Sequence, residues 1–282
     1  MSQRSSAKKS KSGIAPGYLH GFDKTEQKRL YRQAHFLEPF VFEGVDFKHC
    51  HRLLEVGSGV GAQTEILARR FPDLAIDCVD ASPAQLKAAK KHLARQIREK
   101  RVRLHPADAL DLPFEDNTFD GAFVCWLLEH VAEPVGVLHE IRRVLRQNAM
   151  IHIHEVQNAS FFVHPYSPAT IKYWFEFNDH QWAMKGDPFI GAKLGNYLLA
   201  AGFQNIKTRQ IVHHYDNRTP KFRAQFIDEW IRLLLSGAPG LLKAGKVDPA
   251  TVAEMTKELE KLKKDPDSVF YYSWVHASAQ AF

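Results

Sequence analysis

Residues 53–67 read LLEVGSGVGAQTEIL: a short apolar run, three glycines at alternate positions, then the start of a helical pattern. Glycines this closely spaced let the backbone turn sharply and approach a ligand where a side chain would stand in the way, which points to a nucleotide-like ligand. Gly57, Gly59 and Ala62 also satisfy the dinucleotide pattern whose third position admits alanine, so a nicotinamide or flavin fits nearly as well. A tight turn with no ligand would read the same way. The flanking chain decides among them.

Around this bend, apolar runs alternate with helical segments. Strands are predicted at 53–56, 75–79, 102–105, 119–126 and 151–156, with helices between them at 62–70, 83–98 and 134–146. The second helix begins with Ser82 as cap, Pro83 at the first helical position and Gln85 closing the box. Repeated strand, helix, strand implies a parallel α/β sheet covered on both faces, because parallel neighbours need a right-handed crossover. Upstream, DKTEQKRLYRQAHFLEPF predicts a helix capped by Asp23, with Glu26 in the capping-box position. After the fifth strand come the loop NASFFVHPYS, the aromatic-rich helix PATIKYWFEFNDHQWA, a helix at 194–201 and the strand QNIKTRQIVHHY. Amphipathic helices at 222–235 and 249–264 follow, separated by a turn at GAPG, and SVFYYSWVHASAQA predicts a closing strand.

The chain has 282 residues, 45% hydrophobic and 25% charged, enough for one large core with an elaborated cap. No apolar run approaches bilayer length and MSQRSSAKKSKSG has no signal-peptide centre, so a cytoplasmic location is expected. Of the formal net charge of +6, Arg4, Lys8, Lys9 and Lys11 account for four. The rest is nearly balanced, and no nucleic-acid partner is expected. Cys50, Cys78 and Cys125 are widely spaced and read as reduced core thiols. The expected organisation is a disordered basic tail (1–12), an N-terminal helical segment (13–49), a ligand-binding core (50–156) and a cap with the last two strands of the same sheet (157–282).

In an open parallel sheet the ligand lies outside the carboxyl ends of the strands. Asp80 ends the second strand, 19 residues after Gly61, where a carboxylate accepts from both hydroxyls of a ribose. Glu55 stands two residues ahead of the first glycine; a pyrophosphate would be repelled by it, a cationic ligand attracted. Asp108 ends the third strand, placed to accept from an exocyclic amine such as that of adenine.

With LPFEDNTFDGAFVCWLLEHV added, the chain resembles the class I S-adenosylmethionine-dependent methyltransferases, in particular the group with the ubiquinone and menaquinone methyltransferases. The glutamate and glycine bend, Asp80, the Asp108-Ala109 pair, LPFEDNTFD and LEHV fall in family order over roughly residues 50–155. The resemblance implies a Rossmann-like, seven-stranded, mostly parallel sheet with helices on both faces, C-terminal antiparallel strands and a helical cap. It implies S-adenosyl-L-methionine as cofactor: Glu55 with Gly57, Ser58 and Gly59 at the methionine end, Asp80 and Ala81 at the ribose, Asp108 and Ala109 at the adenine. Cys125 and Trp126 would border the sulfonium, with His130 positioning the loop behind them. One departure is RVLRQNAMIHI, where the family usually has a Pro-Gly-Gly type turn; Gln147 and Asn148 can turn without glycine, since Asn tolerates the left-handed conformation.

The pre-sheet helix resembles one that folds over the cofactor in many of these enzymes, and Tyr18 and Gln33 are expected at the methionine end. For the acceptor side, His164 in FFVHPY is the candidate base and His154, at a polar strand end, a candidate substrate contact. His152 and His154 share a strand face, but no third ligand on that face can be identified, so no metal is expected. Tyr173, Trp174, Phe175, Phe177 and Trp182 are too densely spaced for one apolar stripe, and those not packed on the sheet would line a pocket for a flat ring, with Tyr173, Trp174 and Trp182 the expected contacts. The expected activity is methyl transfer to oxygen or nitrogen of a small, aromatic or heterocyclic molecule. Alternatives are a protein or RNA methyltransferase, a nicotinamide-dependent oxidoreductase or a non-catalytic cofactor-binding partner. The helices between the last strands read as a lid or, equally, as a homodimer face.

Overall fold

The computed structural model describes residues 19–282; Tyr18, the basic tail and the start of the N-terminal segment lie outside them. In order come α1 (Lys24–Val41), β1 (Arg52–Val56), α2 (Ala62–Arg70), β2 (Ala75–Asp80), α3 (Pro83–His92), α4 (Ala94–Arg98), β3 (Val102–Pro106), β4 (Phe119–Cys125) and α5 (Pro134–Val144). The second half is β5 (Leu145–Val156), β6 (Phe162–His164), α6 (Pro168–Ala183), α7 (Leu194–Ala200), β7 (Gln204–Tyr215), α8 (Pro220–Lys243), α9 (Pro249–Leu262) and β8 (Val269–Gln280). The strands form one sheet in the order β3-β2-β1-β4-β5-β8-β6, with β7 also beside β8. The first five pair in parallel, and β8 runs antiparallel to β5, β6 and β7.

Alternation along the strands sends successive side chains to opposite faces. Leu53 of β1 joins a core with Leu37 of α1, Ile66 of α2, Trp230 of α8 and Met255 of α9. Its neighbour Leu54 joins the other core, with Ile141 of α5 and Leu198 of α7. Strand order reverses at β1, which has β2 on one side and β4 on the other, so a crevice opens beyond the carboxyl ends of these strands.

The sheet has eight strands among the described residues, one more than expected. The addition, β6, follows β5 along the same edge of β8: Val156 pairs with Trp274 and Phe162 with Tyr271. Three residues are too few for a periodicity, so only the partner strand defines it. The helix expected over 83–98 breaks at fully buried Leu93, which separates α3 from α4. Strand β5 starts at Leu145, directly after α5, and Asn148 makes its turn inside the strand at φ +66°. The expected break at GAPG is absent; α8 runs through it. A Cβ on Gly237 would stand 2.8 Å from the Phe177 ring, so this glycine lets α8 approach α6 rather than turn the chain. No helix among the described residues is long and apolar enough to cross a membrane.

Candidate active site

A cavity of about 250 Å³ lies over the carboxyl ends of β1 and β4, roofed by α1, α6 and α8. Its floor is the glycine bend. The amides of Gly57 and Ser58 both donate to the Val79 carbonyl, at 2.8 and 3.1 Å, pinning the bend to the end of β2. Gly57, Gly59 and Gly61 all have positive φ. The reasons for glycine differ: a Cβ on Gly57 would sit 2.9 Å from Leu127 Cβ, whereas nothing lies within 4 Å of one on Gly59. The open space before Gly59 belongs to the cavity, which it lines.

Asp80 holds this floor in shape. Its Oδ2 accepts from the Gly59 amide at 2.8 Å and its Oδ1 from the Ser82 amide at 2.8 Å. Burial raises its carboxyl above the ordinary value, and the two amides oppose that shift. Glu55, expected to face a cationic ligand, is instead enclosed. Thr64 Oγ1 donates to it at 2.6 Å, Cys78 Sγ lies 3.8 Å away, and burial pushes its carboxyl up to about 8. It stays outside the cavity lining and supports the bend from behind.

At the end of β4, Trp126 takes φ +53°, a conformation strained for a bulky residue, and its amide donates to the His154 carbonyl at 2.9 Å. Its ring meets Trp274 edge to face at 5.7 Å. Residues 128–130 then form a short 3-10 turn carrying Glu129 and His130 into the cavity wall. Gln181 of α6 donates from Nε2 to Glu129 Oε2 at 2.7 Å, and the Asp187 amide donates to the Glu129 carbonyl at 2.8 Å. Burial lowers the His130 imidazole to about 4.

The far side is aromatic. Asn158 ties α6 to β8: its carbonyl accepts from Trp174 Nε1, its Oδ1 from the Tyr272 hydroxyl, and its Nδ2 donates to Asn178. The Trp174 ring stacks on Phe177 at 5.4 Å and lies 5.2 Å from Trp230. Trp230 and Trp274 also line the cavity, and neither indole N–H has a partner.

Of the residues expected at the site, Gln33, Gly57, Ser58, Gly59, Asp80, Cys125, Trp126, His130 and Trp174 line this one cavity. Ala81, Asp108 and Ala109 do not; Asp108 Oδ1 accepts from the Leu110 amide at 3.0 Å. Tyr173 is fully buried and donates to the Leu234 carbonyl at 2.6 Å, joining α6 to α8 rather than facing the cavity. Trp182 points outward, half exposed over Lys193. His164 lies exposed on β6, away from the cavity, because pairing with β8 draws its segment to the sheet. His154 is buried within the sheet, stacked on His276 at 4.5 Å. Among the lining residues that the sequence reading passed over are Arg29, Glu129, Asn158, Glu229, Trp230, Tyr272 and Trp274. Glu129 lay in plain view in LEHV, whereas the rings of α8 and β8 carry no local signal.

Residues 54–153 match the family model described as a methyltransferase domain. Over 160 residues the chain is 31% identical to an O-methyltransferase of Penicillium expansum, covering 56% of this chain and 54% of that one. Over 101 residues it is 35% identical to demethylmenaquinone methyltransferase of Symbiobacterium thermophilum, covering 36% and 40%. The chain thus spans about half the length of the curated relatives it matches. A phosphoethanolamine N-methyltransferase of Haemonchus contortus, solved with phosphomonomethylethanolamine and S-adenosylhomocysteine, shares the fold at TM-score 0.55 and 17% identity, over 88% of this chain and 52% of that one. Over residues 54–153, this chain carries a methyltransferase domain of the S-adenosylmethionine-dependent class.

Proposed function

We propose that the whole chain transfers the methyl group of S-adenosylmethionine to oxygen or nitrogen of a small molecule bearing a flat ring. The observation that carries this reading is the cavity itself, where the Gly59 and Asp80 floor continues directly into a chamber walled by Trp126, Trp174, Trp230 and Trp274. The floor fits the cofactor: Gly59 leaves its space open, and Asp80, at the end of β2 and in the cavity wall, offers a carboxylate to the hydroxyls of a ribose. When bound, the cofactor supplies an electrophilic methyl group.

The chain's own contribution is to align the reactants and exclude water, which accounts for most of the catalysis in an in-line displacement. Trp126 and Cys125 border the junction of the two halves, and the rings of α6, α8 and β8 give the acceptor an apolar, stacking surface. Asn158 fixes the rings of Trp174 on α6 and Tyr272 on β8. Titration calorimetry tests the reading: S-adenosylhomocysteine binds and NAD does not. Tighter binding of NAD would mark the bend as a dinucleotide site.

A further inference from the structure

The charges on the cavity wall are one-sided. Three carboxylates, Asp80, Glu129 and Glu229, line it, and among the described residues Arg29 is the only lysine or arginine that does. Arg29 is engaged: Nε and Nη2 donate to Glu26 at 2.7 and 2.6 Å, and Nη1 donates to Gln33. The lining histidines His20 and His130 are held neutral by burial. A phenolate or carboxylate would meet repulsion here, while a cation would meet carboxylates and the negative faces of several rings.

The carboxylates are not equivalent. Asp80 braces the glycine bend and, in the methyl-transfer reading, faces the ribose, and Glu229 pairs with Arg32 at 2.8 Å. Glu129 is different. Its Oε2 takes the Gln181 hydrogen bond, while Oε1 lies 3.6 Å from Nε2 of the neutral His130 imidazole, beyond hydrogen-bonding reach. The side chain is therefore oriented from one oxygen and offers the other, at the turn just beyond β4.

Resting on the methyl-transfer reading, we propose that the acceptor is an amine carried on a flat ring, that it enters as its ammonium ion, and that Glu129 takes its proton. The ammonium N–H bond breaks to the Glu129 carboxylate, leaving a neutral carboxyl and a free lone pair. That pair takes the methyl carbon, whose former bonding electrons stay on sulfur, and the product leaves as an N-methylated ammonium ion. Burial raises the Glu129 carboxyl to about 7 and Asp187 adds to the rise, while Gln181 and Arg29 oppose it; near neutrality the carboxylate can take the proton and release it to solvent once the product has left.

The test uses the full chain with S-adenosylmethionine and two probes of similar size, 1,2,3,4-tetrahydroisoquinoline and 2-naphthol, with methylated product read by mass. The amine is methylated at least about tenfold faster than the phenol. Glu129→Gln lowers that rate by about 10²-fold near neutral pH and recovers as the pH rises until the free amine predominates, with S-adenosylhomocysteine affinity by calorimetry unchanged. Preference for 2-naphthol, failure of both probes while S-adenosylhomocysteine still binds, or a Glu129→Gln deficit that persists at high pH overturns the assignment. Failure of the wild-type chain to bind S-adenosylhomocysteine overturns the methyl-transfer reading, and this assignment with it.

Discussion

Glu155 Oε1 accepts from the Leu128 amide at 2.6 Å, so a buried carboxylate on β5 closes the turn that follows β4. The same side chain accepts from the amides of Leu127 at 3.0 Å and Glu129 at 3.2 Å. Burial and the Glu129 charge push its carboxyl up while the amides pull it down. Glu155→Ala leaves three buried N–H groups unpaired and is expected to cost roughly 3–6 kcal/mol, seen as a lower urea midpoint. Glu155→Gln is expected to fall between, since its amide sets a donor against the Glu129 N–H. Wild-type stability in the alanine variant would show that the turn holds itself.

Asp80→Ala removes the acceptor for Gly59 and Ser82 as well as the proposed ribose contact. S-adenosylhomocysteine binding is expected to weaken by about 1.5–3 kcal/mol by calorimetry. Unchanged affinity would place the ribose elsewhere.

Glycine in a helix interior normally invites replacement by alanine, for a gain of up to about 1 kcal/mol. Gly237 of α8 is expected to behave in the opposite sense. The added Cβ would meet buried Phe177, whose ring is stacked on Trp174 and cannot swing aside. Gly237→Ala should lose about 1–3 kcal/mol through overpacking, and a rise in Tm would mean that α6 and α8 separate readily.

Acid should open the β5–β8 face. His152 Nδ1 lies 3.0 Å from His276 Nε2, and burial lowers both imidazoles to about 4. Because these values lie below the unfolded value near 6.5, the stability they contribute is complete above that pH and is lost as pH falls toward 4. A loss on the order of 2 kcal/mol per histidine, about 4 kcal/mol for the pair, is expected between pH 7 and pH 5, measured by urea titration, and about half that in His152→Phe. A pH-independent midpoint over that window would show the pair already solvated.

The sequence by itself determined what depends on neighbours in the chain. The glycine bend, the parallel strands, the Ser82 cap and Asp80 at the end of β2 are local, because a positive φ, a period of two and a capping hydroxyl are properties of a few adjacent residues. Gly59 and Asp80 meet at the carboxyl end of β2. The acceptor half was decided by tertiary structure. Whether Trp174 or Trp182 faces the cavity depends on the rotation of α6, which its contacts with α8 and α9 fix, and an aromatic-rich helix carries little amphipathic signal to reveal it. GAPG reads as a turn because glycine and proline are usually breakers; only the Phe177 ring on the facing helix shows why glycine is there. Glu129 gained its environment from Gln181, 52 residues away, and no local pattern records how a carboxylate is desolvated by a helix that the chain has not yet made.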